Sequence, residues 1–412
     1  MIFATCFAFW LVDFWRPVNV YNNQSVFDND LVFQQYCYLP AVFMNGASFV
    51  WPNNDQAIPS RNYGMSVMYA PGFFAAWAEC LILDRDTKSG FSDRFASYIH
   101  WLGIFYTLAG LFILRRLLLR FFTEGVTAFV LFSGLFGSLL FYYTFSESEM
   151  PHAHLFFLFS VFLWLTVVWH KKPGISVSIG LAAVAGIISL INVFDLYIIF
   201  IFLFWDTTRF GSLRNKLAFL AQHKKNLFWA LFVFVLFWVP QLWFNHQQTG
   251  RLFYDRSPKE SYTFSDPGLW QVLLSYKQGW LPYSPVALLL LISLFWSRLP
   301  FFERRYFVSV FLLVWYVYSC SWDWHAGKGY GAATLCEAFA WLSFPYGHFV
   351  SACFNRSKQP FRSLVIKILL IGLVFSSALI VMGWTYKLNE GFFEPLKMDA
   401  QKYWTLIMTF KK

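Results

Sequence analysis

Charge is scarce in this chain. Only 13% of its 412 residues are Asp, Glu, Lys or Arg, about half the share of an average soluble domain. That shortage excludes a soluble domain of this size, whose water-facing surface needs charge. The six cysteines, Cys6, Cys37, Cys80, Cys320, Cys336 and Cys353, form no CxxC and no Cys/His spacing. A disulfide framework or zinc site is therefore not implied, and the thiols read as small packing residues. A basic leader with a small-residue cleavage site is missing from the N-terminus, so no secretory signal is expected. No internal repeat is evident, which argues against a transporter built from duplicated halves.

What fills the chain is apolar. Hydrophobic residues make up 58% and aromatics 23%, with 52 Phe, and the mean hydropathy is +0.48. These values predict an all-α polytopic membrane protein. The net charge of +10 lies mostly in short loops between apolar runs, where it sets orientation, so no nucleic-acid partner is expected.

Apolar runs predict spans at 97 to 119, 122 to 142, 152 to 169, 174 to 191, 194 to 206, 226 to 244, 283 to 297, 305 to 320, 335 to 353 and 365 to 384. A short first span over Ile2 to Trp15 brings the total to about eleven. Arg115, Arg116 and Arg120, Lys171 and Lys172, Arg209 to Lys225, Arg298 to Arg305, and Arg356 to Arg362 then fall on one side. By the positive-inside rule that side and the N-terminus are cytoplasmic, in a bacterial inner (plasma) membrane. The scheme needs Ser66 to Leu83, interrupted by Pro71-Gly72, to be an interfacial or re-entrant helix. The chain reads as one membrane domain, 1 to 412. Its outward parts are a first loop over about 17 to 66, loops over about 245 to 283 and 320 to 334, and a tail over about 385 to 412.

Polar chemistry collects on the outward segments. Asp28 and Asp30 are held beside Gln34, Gln35, Tyr36 and Tyr38, with Arg61, Asn62 and Tyr63 further on. The second segment runs from Ser146 through Glu149 and His152 to His154, and another holds Trp322, Asp323, Trp324, His325 and Lys328 among Gly327, Gly329 and Gly331. Carboxylates here can act as a general base on a hydroxyl, or hold a divalent cation beside a leaving phosphate. Lys328, Arg61 and His325 can bind that phosphate, and the tryptophans offer flat faces to a sugar ring or prenyl chain. Each piece also has a plain reading, as solvated loop, aromatic belt or interfacial anchor. Asn192 and Asp195 either line the same cavity or form a buried hydrogen-bonded pair, and Asn23-Gln24-Ser25 matches a glycosylation sequon by a common pattern.

Tyr36-Cys37-Tyr38-Leu39-Pro40-Ala41 resembles the Tyr-x-Tyr-Leu-Pro-Ala element of bacterial GT-C type membrane glycosyltransferases, the superfamily of protein O-mannosyltransferases and lipid A aminoarabinose transferases. Met150-Pro151-His152-Ala153-His154, Pro240-Gln241-Leu242 through Thr249-Gly250, Gly279 to Pro285, and Trp322-Asp323-Trp324 with Gly327 to Gly331 follow in the same order. The resemblance implies a GT-C type helical bundle that moves a sugar from a polyprenyl-phosphate donor to a glycan, lipid or protein acceptor on the external face. It implies a catalytic base or metal anchor at Asp30, with Asp28 second, a second acid at Glu149, and Arg61 on the donor phosphate. Tyr36, Tyr38, Tyr63, His152, Trp322, Asp323 and Trp324 would line the substrate pocket. A divalent cation, Mg or Mn, would sit on Asp30 and Glu149. The chain departs from the family where Ala332-Ala333 stands in place of a Gln-Arg pair, and Asp30 lies one residue further from Tyr38 than usual. A non-catalytic lipid-sugar binding protein and a transporter or flippase are the rival readings.

Overall fold

The computed structural model describes residues 26–44, 46, 59, 61–84, 90–253, 262–296, 299, 304–321, 329–354 and 360–409. Helices dominate, and among the described residues the β-type pairing is one isolated bridge, Tyr262 with Ser321. Helices are what so apolar a chain must form, because a backbone in hydrocarbon has no water to satisfy its N–H and C=O groups.

All ten segments expected after the first fall on helix, and the first, Ile2 to Trp15, lies outside the described residues. Among the described residues five helices are long and apolar enough to cross a membrane: Gly64–Ile82, Asp93–Leu118, Pro151–Lys171, Lys224–Thr249 and Leu364–Asn389. Four more are apolar but shorter, Glu124–Gly137, Ile175–Ile191, Val193–Phe204 and Val286–Trp296. The shortening has local causes. Ser138 leaves helical geometry at φ −124° and ψ 172°. Its hydroxyl donates to the Gly134 carbonyl at 2.6 Å and accepts from the Leu140 amide at 3.2 Å, which ends one helix and starts Leu140–Phe145. At Asn192 the side chain accepts from the Phe194 amide at 3.2 Å and opens a 3-10 turn over Val193–Tyr197.

The expected break at Pro71-Gly72 is not there. Gly64–Ile82 is one continuous helix with Pro71 inside it. Pro71 lacks the amide that would bond the Val67 carbonyl and its ring crowds that carbonyl, yet the helix runs on through it. Gly64 is needed for packing, since a Cβ there would lie 2.5 Å from the Leu190 backbone carbon.

The chain groups into two compact units interleaved in sequence, one within Asn19–Gly110 and Glu147–Lys259, the other within Met1–Val18, Leu111–Ser146 and Glu260–Lys412. In the unit that holds the first loop, Ile175–Ile191 packs on Lys224–Thr249, Pro151–Lys171 and Gly64–Ile82. Trp238 Nε1 donates to Ser189 at 2.9 Å and Trp169 Nε1 to Ser178 at 2.8 Å, tying the helices at two levels. Only 6% of the most apolar window of Lys224–Thr249 is buried. Phe228, Leu231, Phe232 and Leu236 on it are exposed, a surface suited to lipid and not to water.

In the other unit, Pro360–Asn389 packs on Glu124–Gly137, and Phe339–Phe354 packs on Val286–Trp296. Ser377 joins three helices there: its hydroxyl donates to the Gly137 carbonyl at 2.8 Å and accepts from the Val286 amide at 2.9 Å. The segments expected outward also meet one another in this unit. The Thr263 amide donates to Cys320 O at 2.7 Å, Gln278 to Gly329 O at 2.8 Å, Tyr403 to Pro282 O at 2.6 Å, and Asn389 to Ser146 at 3.0 Å.

Candidate functional site

Asn29 caps the first short helix, Asp30–Tyr36, its side chain accepting from the Leu31 amide at 3.1 Å. Cys37 joins it to Tyr38–Phe43, where Pro40 falls in the first turn and costs no hydrogen bond. Tyr36 is fully buried, stacks 4.5 Å from Phe27, and donates to the Gly90 carbonyl at 2.6 Å. Burial pushes its phenol well above the ordinary range and pushes the Cys37 thiol up to about 12, so neither titrates near neutrality. Tyr38 donates to the Arg61 carbonyl at 2.8 Å and sets its ring edge-on to Phe244 at 5.3 Å. The two tyrosines thus anchor the loop that carries Asp30 and Arg61.

The next anchor is Tyr63. Its amide donates to Gln241 Oε1 at 2.9 Å, and its hydroxyl to the Phe237 carbonyl. Gln241 in turn donates to Asn245 at 3.0 Å, and Asn245 to the Leu252 carbonyl at 3.0 Å. Gly250 caps that helix at φ +71°, which explains the Pro240 to Gly250 motif as a clamp on the first loop.

Glu149 is the centre of the cluster. It is 9% exposed, and its Oε2 lies 3.0 Å from His100 Nδ1. Tyr69 donates to the Glu149 carbonyl at 2.5 Å, and Ser148 to the His100 carbonyl at 2.7 Å. The helix Asp93–Leu118 approaches this turn so closely that a Cβ on Gly103 would sit 1.9 Å from Ser148 O. His154 Nδ1 donates to Met150 O at 3.1 Å, with its ring 5.5 Å from Tyr69 and 5.2 Å from Tyr106. Nε2 of His100 and Nε2 of His154 are both buried without a hydrogen-bond partner. Two ring nitrogens beside a carboxylate thus keep hydrogen-bonding capacity that no described group takes up.

Tyr69 links Glu149 to Tyr36, by its bond to the Glu149 carbonyl and a ring contact of 6.2 Å with Tyr36, while Tyr38 is tied to the Arg61 backbone and Tyr63 to Gln241 and Phe237. Asp30 is exposed at the start of its helix. His152 interacts electrostatically with Asp195, which is fully buried. Asp28 has its backbone in the Val26–Asp28 turn and its side chain outside the described residues, as are Trp322, Asp323, Trp324, His325 and Lys328. Gly329 and Gly331 are taken up by packing: a Cβ would lie 2.6 Å from the Tyr143 hydroxyl at the first and 2.8 Å from Leu139 at the second. His100 carries no motif, yet a histidine inside an apolar span is a signal in itself.

Among the described residues no three His, Cys, Asp or Glu side chains gather as a metal ion would need. A divalent cation such as Mg is commonly held by one or two carboxylates, with water and substrate phosphate oxygens completing the shell, so Asp30 and Glu149 would need those further oxygens to hold it.

No family model matches the chain, and no curated protein matches it. Among solved structures the chain is similar to the crystal structure of ArnT from Cupriavidus metallidurans in the apo state, at 11% identity and a TM-score of 0.47, over 92% of this chain and 70% of that one.

Proposed function

We propose that the chain is a GT-C type membrane glycosyltransferase that moves a sugar from a polyprenyl-phosphate donor to an envelope glycan, lipid or protein acceptor at the external face. The reading rests on five motifs in family order. The observation that carries it is the buried Glu149 and His100 pair at 3.0 Å, tied through Tyr69 to the Tyr36 element.

In the reaction, an acceptor hydroxyl attacks the anomeric carbon as the bond from that carbon to the phosphate oxygen breaks. The hydroxyl proton passes to a carboxylate, for which Asp30 is exposed and therefore reachable. His100 donates to Glu149 and fixes the direction of that carboxylate. Arg61, held by the Tyr38 bond to its carbonyl, meets the negative charge on the departing polyprenyl phosphate.

The test is release of polyprenyl phosphate from a panel of polyprenyl-phosphate sugars by the purified protein in lipid, with envelope extract as acceptor. Asp30→Asn is expected to abolish release while leaving donor binding. Binding with no release from any donor would instead support a lipid-sugar binding protein, and neither would support a transporter.

A further inference from the structure

At the basic end of the unit that holds the first loop lies a second feature, independent of the glycosyl-transfer reading. Pro151–Lys171, Ile175–Ile191, Ile198–Phe204 and Lys224–Thr249 enclose a cavity of about 310 Å³ lined by Trp169, Ala182, Ala185, Phe202 and Leu227 among others. Its walls are almost wholly apolar, and it opens on helices whose outer faces suit lipid.

Beyond the Trp169 wall, across the Phe219 ring, lies an unusual lysine. Lys216, on Leu213–Gln222, is fully buried, and its Nζ has no hydrogen-bond partner. The ammonium lies 4.9 Å from the Phe210 ring and 5.6 Å from the Phe219 ring. Phe219 is 5.8 Å from Trp169, a wall of the cavity. Rings attract a cation but accept none of its three N–H bonds in the normal sense. His170 Nδ1 donates to Thr166 O at 2.8 Å, while its Nε2 is buried and unpartnered. His170 sets its ring edge-on to Phe202, another wall, at 5.0 Å and lies within electrostatic reach of Lys216. Arg209, Lys171, Lys172, Lys224 and Lys225 are exposed around this end. Asp206, paired to Arg209 at 3.7 Å, is the acidic residue among them.

We propose that this end of the unit binds an anionic phospholipid, with its phosphate on Lys216 and Arg209, a headgroup hydroxyl donating to His170 Nε2, and one acyl chain in the cavity bounded by Trp169 and Phe202. A buried donor without an acceptor, a basic rim and an apolar slot at the depth of the first acyl carbons are the three parts of such a site. The phosphate supplies the acceptor that Lys216 lacks.

The full chain in neutral detergent is titrated with dioleoyl phosphatidylglycerol or dioleoyl phosphatidylcholine, and binding is read by native mass spectrometry, with glycerol phosphate as soluble competitor. Phosphatidylglycerol is expected to bind about tenfold more tightly than phosphatidylcholine. Lys216→Gln should erase that preference and Lys216→Arg should keep it. Ala185→Phe leaves the cation in place and fills the slot, so it should weaken phosphatidylglycerol binding, with the melting temperature and elution volume showing an intact fold. Equal affinity for the two lipids would overturn the proposal, as would a preference that survives Lys216→Gln. Glycerol phosphate competing as strongly as the lipid would reduce the site to a small-anion site and overturn the lipid claim.

Discussion

Glu149 and His100 hold each other in a pocket where neither is well solvated, and each loses most from the loss of the other. Glu149→Gln and His100→Gln are each expected to lower polyprenyl-phosphate release by about 100-fold, measured beside donor binding that stays within a few-fold. Release unchanged in both would make the pair purely structural. Glu149 was expected from the family resemblance, in which an acidic residue precedes the Pro of the Met150-Pro151-His152 element. His100 was not, because its partner stands 49 positions away and no local spacing joins them. Tyr36 and Tyr38 were legible as a motif, but their burial and their backbone bonds to Gly90 and Arg61 follow from tertiary packing, which a six-residue pattern does not encode. Lys216 gives a second prediction at this scale. Burial, the main cause, and the neighbouring Arg209 bring its amine down to about 8 against the opposing pull of Asp206. Its charged form is thus lost as pH rises through that value, well below the loss of an ordinary lysine. Phosphatidylglycerol affinity should therefore fall between pH 7 and 9 in the parent and hold in Lys216→Arg. Asp206, Arg209, His170 and His223 face the same region.

Helices follow the apolar runs closely because a window of that composition has one way to satisfy its backbone. Their ends and interruptions were less legible. Pro71 reads as a break and is not one, the helix running on past one missing amide; Ser138 reads as ordinary and ends a helix, since its hydroxyl serves two backbone groups. Glycine spacing decides how near the helices come. Gly103→Ala would place a methyl against the Ser148 carbonyl and is expected to destabilise by roughly 1 to 3 kcal/mol, seen as a lower melting temperature in detergent. Gly125, where a Cβ would meet nothing within 4 Å, is the control: Gly125→Ala should leave the melt unchanged or raise it slightly, by up to about 1 kcal/mol. Equal losses at both positions would refute a close approach at Gly103. The turn at Glu149 should also move in Gly103→Ala, so release is expected to fall with stability there and not in Gly125→Ala.

Two compact units interleaved along the chain are not visible in a sequence read by local periodicity, because the pairing of distant segments is set by packing and not by spacing. What composition did make legible is the class of molecule; the side on which its basic loops lie is an expectation of the positive-inside rule, and it depends on whether the continuous helix Gly64–Ile82 crosses. The orientation yields a direct prediction. The described cysteines Cys37, Cys80, Cys320, Cys336 and Cys353 are all buried, so an added surface cysteine reports with little background. Arg251→Cys, in an exposed loop, should react with a membrane-impermeant maleimide in intact spheroplasts, and Lys171→Cys, exposed at the basic end, only after lysis. The reverse pattern would place the Glu149 cluster on the cytoplasmic side. Transfer of a sugar from a polyprenyl phosphate by this cluster is tested most directly by polyprenyl-phosphate release from each donor, measured for the purified parent, Asp30→Asn and Glu149→Gln. Release by the parent alone, with all three folded and binding donor, is the predicted result; release that survives both substitutions, or that no donor elicits from the parent, would contradict it.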